Sequence, residues 1–271
     1  MDLICYSIKI DSSRLFKYLI EKSGILFTYQ DENNKDFLDL AIECTSFSIM
    51  RVLFESGVET TLEEKNKILL LICRFNDYSR QTSESKAELV SMVKMLLDQG
   101  ADPNYSEKIN RNSIDFTMRF PLERAIMTDK IEIVKCLLVA GADPNAFNGI
   151  SIKSAVTHSY EPKILELLIE NGADLSMENL NLLNEAIKSQ HEEIVDLLLD
   201  HRVPICKIES SNLKTAVKDF DLSLIRKLVE AGVDFNPESD NDYLEEKIKY
   251  FEDLGMDPMN ICRLFACECE H

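Results

Sequence analysis

No stretch of this chain reaches the eighteen or so uninterrupted apolar residues that a membrane-crossing helix needs. Its opening residues, MDLICYSIKIDSSR, place no basic flank ahead of an apolar run. Neither a membrane span nor a cleaved secretory leader is expected; export by a specialised machine reading the far end of the chain would leave no such mark. Basic residues are scarce too: 30 Lys and Arg stand against 48 Asp and Glu, a net charge of −18. Such a surface repels phosphate, which argues against binding to DNA, RNA or an anionic membrane. A protein partner with a basic surface is the expectation; the alternative is acidity that only keeps a large surface dissolved. Glycine is rarer still, with eight residues. Seven end apolar helical runs and Gly149 sits in the turn Phe-Asn-Gly, so none remains to build a phosphate-cradling loop. His-Glu-x-x-His and Gly-x-Ser-x-Gly are both missing, and with them the common zinc-protease and serine-hydrolase arrangements.

What is present is the composition of a folded protein: 45% apolar and 29% charged residues over 271 positions. The eight cysteines (5, 44, 73, 136, 206, 262, 267 and 269) are irregularly spread, several inside apolar runs such as IVKCLLV. That usage fits buried thiols in a reducing, cytoplasmic compartment, with no disulfides expected.

The organisation is periodic. Gly24, Gly57, Gly100, Gly141, Gly172, Gly232 and Gly255 each close an apolar helical run. Midway between Gly172 and Gly232 the pattern returns without its glycine, at Arg202, so the steps from Gly141 onward are 31, 30 and 30. Eight, seven, four and three residues before six of these positions stand four apolar side chains. They are Ile49, Met50, Leu53 and Phe54; Met92, Val93, Leu96 and Leu97; Ile133, Val134, Leu137 and Leu138; Ile164, Leu165, Leu168 and Ile169; Ile194, Val195, Leu198 and Leu199; Leu224, Ile225, Leu228 and Val229. This spacing predicts one apolar stripe along an α-helix. A shorter helix precedes it, marked by Leu38/Ala41/Ile42, Leu122/Ala125/Ile126, Ile152/Ala155/Val156, Leu183/Ala186/Ile187 and Leu213/Ala216/Val217. Alanine recurring at one place implies two helices in close approach. The unit is helix, tight turn, helix and glycine-ended loop; one unit cannot bury both faces, so neighbours must stack.

At this point the residues resemble a known family. FPLERAIMTDKIEIVKCLLVAGADPNA, residues 120 to 146, is similar to an ankyrin repeat, and GADPN recurs at 100 to 104 with variants GADL and GVDFN at 172 and 232. The family's Thr-Pro-Leu-His turn survives as Phe-Pro-Leu-Glu at 120 to 123. The resemblance implies an all-α fold, an ankyrin-repeat solenoid of about seven to eight helix-turn-helix units with short finger loops. It makes residues 1 to 271 a single domain: an N-terminal capping repeat over 1 to 30, central repeats over 31 to 236, and a C-terminal cap and tail over 237 to 271. Two insertions break the period, near 76 to 88 and 105 to 119, with 12 and 11 extra residues by repeat spacing. The second carries Lys108, Arg111, Phe116 and Arg119, a basic and aromatic exception on an acidic chain, and its two readings are a drifted loop and a dedicated contact.

Little else invites chemistry. His158 and His191 fall near the starts of second helices, where solvated or capping roles are expected. Cys262, Cys267, Cys269 and His271 could number a zinc set, but their spacing matches no Cys-x-x-Cys pair, and nothing supplies an orienting group for a Cys-His nucleophile. No enzyme, cofactor or metal is expected.

The resemblance therefore implies a non-enzymatic protein-binding module. Its contact surface would comprise Arg119, Arg124, Met127, Asp129 and Lys130, then Asn148, Ser151, His158 and Tyr160, then Gln190 and His191, then Phe220 and Asp221, on the concave face of a monomer. Tyr160 and Phe220 are the preferred anchors, as aromatic rings on a polar rim. The degenerate turns and insertions resemble stand-alone ankyrin proteins of intracellular bacteria and large DNA viruses, which implies an effector acting on a host protein in the host cytoplasm. The alternatives are a cellular adaptor or inhibitory subunit and, more remotely, an enzyme using the C-terminal Cys and His residues.

Overall fold

A computed structural model describes residues 2–24, 30, 35–75, 83–106, 120–158, 162–177, 180–205, 208–209, 212, 216, 220 and 222–233. It divides into two compact units, Met1–Ala142 and Asp143–His271. Among the described residues every regular element is a helix, with one isolated antiparallel bridge between Gln30 and Asp36.

The first unit holds four helix pairs: α1 (Asp2–Lys9) and α2 (Ser13–Ser23), α3 (Phe37–Glu43) and α4 (Phe47–Glu55), α5 (Leu62–Arg74) and α6 (Ser83–Asp98), α7 (Pro121–Met127) and α8 (Ile131–Val139). First helices lean on first helices, α1 on α3 and α5 on α7, while second helices lean on second helices, α2 on α4 and α6 on α8. The second unit repeats the scheme with α9 (Ala146–His158), α10 (Lys163–Glu170), α11 (Leu182–Lys188), α12 (Glu192–Asp200) and α13 (Leu222–Glu230); α9 packs on α11, and α12 on α13. Seven-residue helices such as α3, α7 and α11 are too short to persist alone in water, so their stability comes from this stacking.

The stripe positions are the core. Ile49, Met50 and Leu53; Met92, Val93 and Leu96; Ile133, Val134, Leu137 and Leu138; Ile164, Leu165 and Leu168; Ile194, Val195 and Leu198; and Leu224, Ile225 and Leu228 are all buried. Ala41, Ala125, Ala155, Ala186 and Ala216 have no exposed surface, as close helix approach requires. Each fully buried Leu or Ile contributes roughly 1.5–3 kcal/mol of transfer free energy, which is why the pattern specifies the fold despite degenerate turns.

Second helices end as their glycines predict. Gly141 N–H donates to the Leu138 carbonyl at 3.0 Å and Ala142 N–H to Leu137 at 2.9 Å, the paired bonds of a left-handed helix stop. The same pair recurs at Gly57, Gly100 and Gly172, and Arg202 adopts it with φ 53°.

Two features depart from the sequence pattern. Part of the first insertion is helix, since α6 runs for 16 residues where α8 and α12 have nine. The turns between paired helices are also left-handed without glycine, at Asp11, Thr45, Asp129 and Gln190, with φ between 50° and 58°. Residues 107 to 119 of the second insertion, and the tail from 234 with Gly255 and the Cys/His cluster, lie outside the described residues.

Candidate functional site

The left-handed turns decide which side chains face outward. In the first unit, α7 begins with Pro121 at its first turn, where the missing N–H costs nothing, and ends in the turn at Thr128 and Asp129. Met127 is 38% exposed and Asp129 is exposed. Arg124 is half-buried: its Nε lies 3.3 Å from the buried Glu123 carboxylate and its Nη1 donates to Met127 Sδ at 3.7 Å.

After the turns at Thr45, Asp129 and Gln190 the next residue reaches back into the preceding repeat of its unit. Ser46 Oγ donates to the Ile8 carbonyl at the end of α1. Lys130 Nζ donates to the carbonyls of Ile72 at 2.7 Å, Cys73 at 3.3 Å and Phe75, while Thr128 Oγ1 donates to Cys73 at 3.0 Å. A cation there completes the open, negative end of α5. Burial nonetheless pushes the Lys130 ammonium down to about 8, partly offset by the neighbouring Cys73. His191 does the same in the second unit, with Nδ1 3.1 Å from the Val156 carbonyl, so that nitrogen carries the proton. Lys130 and His191 thus spend polar groups on the frame.

The second unit presents its own set. Phe147, Asn148 and Gly149 form three consecutive left-handed residues at the start of α9 (φ 52°, 60° and 71°), with Asn148 exposed. A Cβ at Gly149 would stand 2.9 Å from Leu180 and 3.0 Å from Met177, so close packing adds to the need for glycine there. Gln190 is exposed on the α11–α12 turn. His158 is exposed, with Nδ1 2.7 Å from Thr157 Oγ1. It is the last residue of a first helix, and not near the start of a second as its position in the period suggested.

Two expected surface residues are not on the surface. Ser151 is fully buried and its hydroxyl has no hydrogen-bond partner. It lies one turn before Ala155 and so shares that residue's inward face. Phe220 is 7% exposed and belongs to the core, where its large apolar ring is favoured. Arg119, Tyr160, Asp221, Lys108, Arg111 and Phe116 lie outside the described residues.

Sequence reading overlooked one device. Asn145 Nδ2 donates to the Gly172 carbonyl at 2.9 Å while its Oδ1 accepts from Asp174 N–H at 2.7 Å, tying one glycine loop to the next. Asn104 donates likewise to Gly141 at 2.9 Å. The recurring Asn of GADPN was the available signal.

Chemically reactive groups are held quiet. Burial pushes the Cys73 thiol up to about 12 and raises Cys136, keeping both as thiols. Cys5, Cys44, Cys73 and Cys136 are free of disulfides. An open cavity of about 390 Å³ between α3 and α5 is lined by Lys35, Asp39, Glu43, Glu63, Glu64 and Lys67 among others. Its charges serve helix caps and ion pairs: Asp36 with Asp39, Thr61 with Glu64, Lys35 with Glu43, and Lys67 with Glu63. Among the described residues no group of three or more His, Cys, Asp or Glu could hold a metal ion, and no helix is long and apolar enough to cross a membrane.

Residues 119–149 match the ankyrin repeat family model. No curated protein sequence matches the chain. An ankyrin repeat domain from Acinetobacter baumannii superposes with a TM-score of 0.50 at 19% identity, covering 74% of this chain and 98% of that one. The ankyrin repeat domain of Bcl-3, a member of the IkappaB protein family, gives 0.46 at 19% identity over 74% and 88% of the two chains. That of human ASB11 gives 0.43 at 16% identity over 98% and 92%.

Proposed function

We propose, from the match of residues 119–149 to the ankyrin repeat family model and the ankyrin-like fold, that this chain is a non-enzymatic module binding a protein partner through the turn surfaces of its helix pairs. One observation carries the reading. The exposed Met127 and Asp129 of the first unit and Gln190 of the second sit at turns beside Lys130 and His191, which staple the backbone to the preceding repeat, and the exposed His158 ends α9 two residues beyond the Val156 carbonyl that His191 holds. Side chains offered on a rigid frame lose little conformational entropy on binding, which is what a recognition surface needs. Arg124, bonded to Met127, adjoins the first-unit positions, and Asn148 is exposed at the opposite end of α9 from His158. Lys130, Ser151, His191 and Phe220 belong to the frame.

The finer proposal is an effector of an intracellular bacterium or large DNA virus that occupies a host protein in the host cytoplasm as a monomer. Its support is the degenerate turns and the two insertions. The partner's face is basic, to complement a chain of −18.

The test is affinity capture from a eukaryotic lysate with the full chain and with a Met127→Ser/Asp129→Asn/His158→Ser/Gln190→Asn variant; asparagine at 129 and 190 tolerates the left-handed backbone. A partner retained by the parent, weakened by salt and depleted at least tenfold by the variant is the expected result. Equal retention would place the site elsewhere, and shortening residues 105 to 119 asks whether that insertion holds it.

A further inference from the structure

Apolar side chains gathered on an exposed helix face mark an interaction surface, and the first helix pair has such a face. Leu3 is 64% exposed, Tyr6 55% and Ile10 43%, and on α2 Tyr18 is 56% exposed. These are four of the nine large apolar or aromatic side chains exposed among the described residues, gathered within sixteen positions. Leu3, Tyr6 and Ile10 are spaced i, i+3, i+7, while the inward face of the same helix carries Ile4, Ser7 and Ile8, all buried. The result is one apolar stripe inward and a second one outward, flanking it, about 10 Å long at 1.5 Å per residue.

Charge around the stripe is reversed relative to the rest of the chain. Residues 2 to 24 carry Lys9, Arg14, Lys17 and Lys22 against Asp2, Asp11 and Glu21, a net +1 in a chain whose total is −18. All four cations are exposed, as is Glu21; Lys17 lies 3.9 Å from Glu55 of α4, which leaves Lys9, Arg14 and Lys22 to meet a partner. Asp11 is turned toward α4, accepting from the Ser48 hydroxyl and from the Ser48 and Ile49 amides at 3.1–3.3 Å. Lys22 stands 6.0 Å over the Tyr18 ring. An apolar helical stripe with a cationic surround complements an acidic amphipathic helix, whose apolar residues would cover Leu3, Tyr6 and Ile10 while its carboxylates meet the lysines.

We propose that the outer face of α1, with the basic side chains of α1 and α2, is a docking surface for an acidic amphipathic helix of a partner protein. This surface lies apart from Met127 and Asp129 on the α7–α8 turn and calls for the opposite charge in its partner, so it stands or falls independently of the turn surface.

The test pans a displayed library of randomised 16-residue helical peptides against the full chain. Enriched peptides should carry apolar residues at i, i+3 or i+4, and i+7 flanked by Asp and Glu. They should bind at least tenfold more weakly to a Leu3→Ser/Tyr6→Ser/Ile10→Ser variant and at raised salt, and unchanged to the Met127/Asp129/His158/Gln190 variant. Because all three triple-variant positions are exposed, circular dichroism should stay helical; should it not, Tyr6→Arg alone gives the same readout. Enrichment indifferent to these variants, or of basic peptides, overturns the proposal. So does a change on triple substitution in sedimentation coefficient or in binding to phosphatidylserine vesicles without loss of peptide binding, which would assign the face to a second copy or to a lipid surface.

Discussion

Arg202 occupies, with φ 53°, the left-handed position that glycine fills at 24, 57, 100, 141, 172 and 232. A side chain there costs about 1 kcal/mol, so Arg202→Gly should raise the stability of the second unit by about that amount in denaturant titration. Gly141→Ala should lower that of the first by a similar amount, since no heavy atom lies within 4 Å of the added carbon and only the backbone resists. These stops were legible because glycine marks them. The left-handed turns at Asp129 and Gln190 were not, because polar residues hold that conformation through bonds to carbonyls several positions back. Ser151 and Phe220 show the converse: a surface-type residue lying on a buried face, and a ring placed at the rim by analogy that burial favours. Lys130 supplies a pH dependence. Its folded value of about 8 lies below the ordinary 10.5, so the unfolded chain holds that proton more tightly. Stability from this group is therefore present above about 10.5 and lost as pH falls through about 8. Unfolding free energy of the parent minus that of Lys130→Met should rise between those values; a flat or falling difference would show that the carbonyls at the end of α5 outweigh burial.

At the scale of elements, the stripes were readable because their period survives every departure in turn sequence; the structure buries the positions eight, seven and four residues before each stop, while Phe54, Leu97, Ile169 and Leu199 at the fourth are half-buried. The extent of α6 was not readable: its first residues, Ser83 to Glu88, carry a polar composition that suits a loop equally well. Neighbouring second helices are also linked by charge. Glu55 on α4 lies 3.9 Å from Lys17 on α2 and 3.6 Å from Arg51, which reaches Glu88 on α6 at 2.8 Å. These groups are partly exposed, and exposed pairs contribute about 0–1 kcal/mol each. Arg51→Ala should thus cost about 1 kcal/mol or less at low salt. The loss should shrink markedly near 1 M salt, where the screening length falls to about 3 Å; a cost of several kcal/mol, unmoved by salt, would mean that Arg51 acts through packing.

For the whole molecule, each unit is a set of helix pairs whose apolar stripes close on one another, leaving outside the turns on which the proposed surface is built. Hydrogen exchange of the free chain tests this most directly. Amides of α8, α10 and α12 should exchange slowly as contiguous blocks, together with the left-handed stops that follow them. The amides of Glu132 and Glu193, in the first turns of α8 and α12 where no intrahelical carbonyl is available, should exchange faster. Uniformly fast exchange across α8, α10 and α12, or protection concentrated in the turns, would contradict the stacked arrangement and the proposed binding surface that depends on it.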